Sequence, residues 1–286
     1  MLSRIKDVLK RAPLVPSISH TRTARKLQYS LRLRFGKRQN YTYTQFLRLP
    51  TQYKILCRPV IELAKKWRGD REIRIAVMGS SYGAEAYSIA STIRASHPQL
   101  KFAVRAFDLD TAVIAKARVA TYTYNEVANA ARVSPEFVAF TFDRRDKDGV
   151  TLYAVKPEIR SLVTFAPADA LDPRLAAAVG KADIVFAQNF LYHLRPSVCR
   201  AAFVNLATLV DSHGVMFLDG MDLGLKTRLV NRFGLLPLDQ AIEEIHAEAY
   251  RERGASWPGI YWGLEELNRS RPDWKTRYAT IFVRED

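Results

Sequence analysis

The spacing of apolar positions changes several times along this chain, and each change predicts an element. From Arg74 to Ser91 the sequence runs R-I-A-V-M-G-S-S-Y-G-A-E-A-Y-S-I-A-S. Ile75 to Met78 form a short unbroken apolar run, as expected of a strand buried on both faces of a parallel sheet. Gly79 and Gly83 bracket a small polar turn, and Tyr87, Ile89 and Ile93 continue at helical spacing until Pro98. Further buried strands are predicted at 102–107 (F-A-V-R-A-F), 162–165 (L-V-T-F), 182–187 (A-D-I-V-F-A), 215–218 (V-M-F-L, after the turn Ser212-His213-Gly214) and 280–283 (T-I-F-V). Helices are predicted at T-A-V-I-A-K-A-R with Thr111 as its N-cap, at about 196–210 and at 239–253. Val138 to Val155 reads as a hairpin turning at Asp148-Gly149. Buried strands separated by helices predict an α/β fold with a mostly parallel sheet flanked by helices.

The first 70 residues follow a different pattern. Leu2, Ile5, Val8 and Leu9 share one face of a short helix whose other positions carry Arg4, Lys6 and Lys10. Residues 17–40 predict a second basic helix closed at Gly36, and Leu56, Val60, Ile61 and Leu63 predict a third that packs on the body. Gly69-Asp70 marks the expected boundary, leaving a basic helical N-terminal segment over 1–70 and an α/β domain over 71–286. An inserted hairpin is expected at about 138–156 and an acceptor region at about 222–279.

Charge sharpens this division. Residues 1–70 hold 17 Lys and Arg against Asp7, Glu62 and Asp70, so they carry +14 of the net +15. A basic arm of this kind points to an anionic partner, with an acidic protein face, an anionic membrane surface and nucleic acid all open. No apolar run is long enough to span a bilayer, and the start lacks a signal-peptide apolar core. A cytoplasmic protein is expected, with attachment to the inner face of the membrane through the arm as an option. Cys57 and Cys199 have no metal-ligand or redox spacing, and no metal site is expected.

Candidate chemistry gathers at strand ends. Glu85 follows the first strand, Asp108 and Asp110 the second, and Asp169 the third. In an open α/β sheet ligands lie beyond the carboxyl ends of the strands, where a carboxylate accepts from ribose hydroxyls, an adenine amine or an ammonium group. Neither G-x-G-x-x-G nor G-x-x-x-x-G-K-[ST] is present, and a carboxylate-lined site repels phosphates. S-adenosylmethionine fits such a site, having ribose, adenine, a sulfonium and an ammonium group but no phosphate.

Five ordered segments resemble the chemotaxis-receptor (CheR-type) protein-glutamate O-methyltransferase family over about Tyr43 to Leu218. They are T-Q-F-L-R (44–48), G-S-S-Y-G-A-E-A-Y-S-I-A (79–90), F-D-L-D-T-A-V-I-A-K-A-R (107–118), V-K-P-E-I-R-S-L-V-T-F (155–165) and A-Q-N-F-L-Y-H-L (187–194). The resemblance implies a class I Rossmann-like S-adenosylmethionine methyltransferase fold, with S-adenosylhomocysteine as product. It implies that Arg48 meets the methionine carboxylate and that Gly79, Gly83 and Glu85 hold the methionine end. It further implies Asp108 on the ribose, Asp169 beside the adenine and Asn189 near the reacting methyl. Tyr82, Ala84 and Ala86 stand where the family has Thr, Glu and Pro. Gln188 stands for an Arg and His193 for a Tyr, with Tyr192 adjacent. L-D-G-M-D (218–222) replaces G-H-S-E. The cofactor half is kept and the acceptor half has changed.

The acceptor is therefore read as a protein glutamate-like carboxylate or an oxygen of a glycan or small molecule. An ionised carboxylate needs orientation by cations, for which Arg251 and Arg253 are candidates. A hydroxyl needs a general base, for which His193 is the candidate, with Tyr192 and Asn189 beside it and His246 a weaker choice. The aromatic stretches 257–264 and 274–278 read as core closure ahead of a pocket wall. Two other functions compete: an RNA methyltransferase using the basic arm, and a non-catalytic cofactor-binding module.

Overall fold

A computed structural model describes residues 42, 44–128, 133–147, 149–253 and 265–285. The predicted helices before residue 41 and the aromatic run 257–264 lie outside the described residues. Helix α1 (Pro50–Ile55) passes through a π-helical turn (Leu56–Val60) into α2 (Ile61–Arg68). Pro59 sits in that wider turn, where its missing N–H is accommodated. The chain then alternates through β1 (Ile73–Met78), α3 (Ala84–Ser96), β2 (Phe102–Asp108) and α4 (Thr111–Val119). An insertion follows, comprising β3 (Thr121–Thr123), α5 (Tyr124–Ala128), α6 (Pro135–Thr141), β4 (Phe142–Lys147), β5 (Val150–Val155) and α7 (Pro157–Arg160). The main sheet resumes with β6 (Val163–Pro167), α8 (Leu175–Val179), β7 (Ala182–Gln188), a 3-10 turn (Leu191–His193), α9 (Pro196–Leu209) and β8 (Val210–Asp219). Helix α10 (Leu223–Arg232), β9 (Leu235–Pro237), α11 (Ile242–Arg253), α12 (Trp274–Tyr278) and β10 (Ile281–Arg284) complete it.

The seven-stranded sheet has the order β6-β2-β1-β7-β8-β10-β9, with β10 antiparallel to both neighbours and β6 to β8 mutually parallel. Strand order reverses between β1 and β7, which opens a crevice at their carboxyl ends. Side chains alternate between two cores. Ile73, Ile75 and Val77 of β1 join Ile184 and Phe186 of β7 on one face, and Ala76, Met78, Val185 and Ala187 lie on the other. The α/β, mostly parallel sheet expected from the apolar pattern is the one found, with the Rossmann-like order that the family resemblance implies. Among the described residues no helix is long and apolar enough to cross a membrane.

Several local expectations are corrected. Residues 138–141 are the end of α6 rather than hairpin strand, because Ser134 caps that helix by accepting from Phe137 N and Pro135 fits its first turn. The β4–β5 hairpin starts at Phe142 and gains β3 as a third strand. Ser212-His213-Gly214 is a bulge inside β8, with His213 at φ 58, instead of a turn before it. The cap of α4 is Asp110, whose Oδ1 accepts from Ala112 N at 2.8 Å, and Thr111 is the first helical residue.

Phe46 fastens the segment before α1 to the inserted sheet. It is 1% exposed and meets Tyr122 and Phe142 edge-on, with centroids at 5.1 and 5.2 Å. Truncating so buried an aromatic leaves a cavity, so Phe46→Ala is expected to lower unfolding free energy by about 3–5 kcal/mol. Urea denaturation followed by circular dichroism measures the loss.

Candidate active site

The crevice between β1 and β7 is built by three turns that hydrogen-bond to one another. After β1, Gly79 N and Ser80 N both donate to Phe107 O, at 2.8 and 2.9 Å. Gly79, Ser81 and Gly83 take positive φ values of 72, 49 and 88°, which coils the turn tightly ahead of α3. A Cβ on Gly79 would lie 2.9 Å from the Phe190 ring. Asp108 closes β2 and accepts from Ser81 N at 2.8 Å through Oδ2 and from Asp110 N at 3.0 Å through Oδ1. Asp108 O accepts from Ala168 N at 3.0 Å, tying in the loop after β6, where Asp169 Oδ1 accepts from Leu171 N at 2.9 Å.

The far wall is the turn after β7. Asn189 takes φ 59 and its N donates to Asp219 O at 3.1 Å. Gly220 permits this approach, since a Cβ there would lie 2.9 Å from Asn189 Cα. Asp219 Oδ1 accepts from Gly220 N at 2.7 Å. The segment before α1 forms the roof. Ser81 Oγ donates to Thr42 O at 2.5 Å, and Leu47 N donates to Ser88 Oγ at 3.0 Å. Helix α11 holds this segment from outside: Glu248 accepts from Thr51 N and Oγ1 at 3.1 and 2.6 Å, and Glu252 lies 3.8 Å from Arg48 Nε.

Among the sequence-predicted residues, the structure brings Arg48, Gly79, Glu85, Asp108, Asp169, Asn189 and His193 onto one cavity. Gly83 lies beneath it as the left-handed N-cap of α3, against Phe165. Tyr192 stays out of the lining; a Cβ on Gly220 would come within 3.2 Å of its ring, which packs on His193 with centroids at 3.8 Å. His246 is distant, 8% exposed and paired through Nε2 with Glu265 O at 2.8 Å, and burial lowers its pKa. Arg251 is exposed, and Tyr278 of the second aromatic stretch is a core residue. Ser81, Gln188 and Phe190 line the cavity as well. Gln188 has a sequence signal, being an amide that directly follows the apolar run Ile184 to Ala187, whereas Ser81 and Phe190 have none.

The lining sets the electrostatics. Among the described residues it carries four carboxylates, Glu85, Asp108, Asp110 and Asp169, against one guanidinium, Arg48. Burial pushes the Glu85 carboxyl up to about 7; Arg48 opposes that rise and Asp219 adds to it. Such a donor set rejects phosphates and suits a ligand with hydroxyls, an amine and a zwitterionic end.

Comparison with known proteins agrees with this chemistry. Residues 42–232 match the family model described as CheR methyltransferase, SAM binding domain. A probable biofilm formation methyltransferase, WspC, of Pseudomonas aeruginosa is 28% identical over 197 residues, covering 68% of this chain and 44% of that protein. Chemotaxis protein methyltransferase 1 of the same organism is 30% identical over 172 residues, covering 58% of this chain and 60% of its own length. The chemotaxis protein methyltransferase of Escherichia coli is 27% identical over 152 residues, with 52% of each chain covered. The chain thus spans about half the length of these curated relatives. With two thirds of its residues inside the matched model and S-adenosylmethionine as the cofactor of that domain, the chain belongs to the CheR methyltransferase family.

Proposed function

We propose that this protein is an S-adenosylmethionine-dependent O-methyltransferase whose acceptor is a glutamate-like carboxylate on a protein. The observation that carries the reading is the presence of Glu85 and Arg48 together in a carboxylate-lined cavity at the sheet's switch point, where Arg48 acts electrostatically on the Glu85 carboxyl. Glu85 takes the ammonium and Arg48 the carboxylate of the cofactor's amino-acid end. Both oxygens of Asp108 already accept one backbone N–H each, and each keeps a lone pair for a ribose hydroxyl. Asp169, fixed by its bond to Leu171 N, lies where an adenine amine finds an acceptor. When bound, S-adenosylmethionine supplies an electrophilic methyl group on a cationic sulfonium.

Asn189, held by Asp219 O and crowded by Gly220, presents its amide at the acceptor end and orients the incoming oxygen. A carboxylate is ionised at neutral pH and needs no base, so His193 serves as a wall and hydrogen-bond donor. The names of the relatives, chemotaxis and biofilm formation methyltransferases, support a protein acceptor over a small molecule. Labelling a lysate with radioactive methyl donor and then raising the pH tests the linkage. An ester releases its label as volatile methanol in mild base. Label that stays on through base treatment, or that disappears with RNase, contradicts the proposal.

A further inference from the structure

Gln188 is the last residue of β7, 5% exposed, and lines the cavity. Its amide is aimed by a buried relay. Gln188 Nε2 donates to Gln52 Oε1 at 2.8 Å, and Gln52 Nε2 donates to Thr280 Oγ1 at 2.8 Å. Gln52 is 3% exposed on α1, four residues after Arg48, and Thr280 immediately precedes β10. With its nitrogen committed to Gln52, Gln188 has its carbonyl oxygen left over. Gln188 lines the cavity and its bond to Gln52 uses the nitrogen, which leaves Oε1 as the acceptor it can offer a ligand there. Its place is the amino-acid end: Gln188 pairs with Asp219, and Ala187 before it pairs with Met78, the residue ahead of Gly79. Glu85 feels both Arg48 and Asp219 at this same end.

An ammonium group carries three N–H donors and needs more acceptors than one carboxylate oxygen supplies. We propose that Gln188 Oε1 is a further cofactor-binding group, accepting from the ammonium of S-adenosylmethionine beside Glu85, with Gln52 and Thr280 as the residues that position it. The assignment rests on the cofactor reading above. It also explains why a buried amide follows the apolar run Ile184 to Ala187, since a buried amide used at one end alone is costly.

Calorimetry with two probes tests it: S-adenosylhomocysteine, which has the amino-acid end, and 5′-methylthioadenosine, which lacks it. Gln188→Met keeps the side-chain volume, and Gln188→Ala replaces it if the methionine variant does not fold. Either is expected to weaken S-adenosylhomocysteine about tenfold or more, as for loss of a hydrogen bond to a charged group, and to leave methylthioadenosine within about twofold. Gln52→Leu is expected to act in the same direction. Gln52→Glu restores affinity, because a carboxylate accepts from Gln188 Nε2 and from the Thr280 hydroxyl together. Unchanged S-adenosylhomocysteine affinity in the Gln188 variants, or equal weakening of both probes, overturns the assignment alone. Wild-type protein that binds neither probe overturns the cofactor reading and this assignment with it.

Discussion

Glu85→Gln is expected to weaken S-adenosylhomocysteine binding by about ten- to a hundredfold at pH 8 and to remove the pH dependence of binding. A hydrogen bond to a charged group contributes about 1.5–3 kcal/mol, and in the proposed site Glu85, in the first turn of α3, supplies the negative charge for the ammonium. The wild-type carboxyl is pushed up to about 7 by burial, with Arg48 opposing and Asp219 adding. The ligand's ammonium needs the ionised form. Affinity is therefore full above pH 7 and falls as pH drops through 7, by about tenfold between pH 8 and pH 6. The amide of the variant cannot ionise, so its affinity stays flat. Apoprotein stability runs in the opposite sense. A carboxyl whose folded value lies above its ordinary 4.5 favours the folded state while protonated, and that contribution is lost as pH rises from 4.5 to about 7. At pH 8 the variant is thus at least as stable as wild type, and loss of binding cannot be blamed on unfolding. Calorimetry across pH 6–8 with parallel thermal melts checks both halves.

The second large effect is expected at Gly83. It caps α3 at φ 88, and a Cβ there would lie 2.8 Å from Phe165 Cζ and 3.2 Å from Ala117 Cβ, both in the core. Gly83→Val adds left-handed strain of about 1–3 kcal/mol to overpacking of about 1–3 kcal/mol. The total, about 2–6 kcal/mol, is a large part of the stability of an ordinary domain. Gly69→Ala is the control: its φ is 60 but the space around it is open, so only the backbone strain remains. Urea midpoints separate the two variants, and Gly83→Val is expected to lose cofactor binding along with its fold.

The parts legible in the sequence were those with short-range causes. Ile75 to Met78, 182–187 and 215–218 are strands because short, mostly apolar runs bounded by turn residues have few other solutions, and the sheet class followed from their alternation with helices. Gly79, Glu85, Asp108 and Asp169 fall on one cavity because each sits just past a strand end, and parallel order brings those ends together. Features settled by a cap that overrides the apolar pattern, or by distant contacts, were not legible. The start of α6 depends on Ser134 and Pro135 overriding an alternating pattern. Helix α10 and strand β9 owe their places to packing against α9 and β10. The Gln188–Gln52–Thr280 relay joins residues 136 and 228 positions apart, a span no local spacing encodes.

In the proposed function, the cavity between β1 and β7 holds S-adenosylmethionine by its amino-acid end. Titrating folded wild-type protein with S-adenosylhomocysteine at pH 8 in a calorimeter tests it most directly. Saturable binding at one site per chain, much tighter than that of 5′-methylthioadenosine, is the predicted result. The absence of binding heat from protein that still melts cooperatively, or equal affinity for the two compounds, would contradict it.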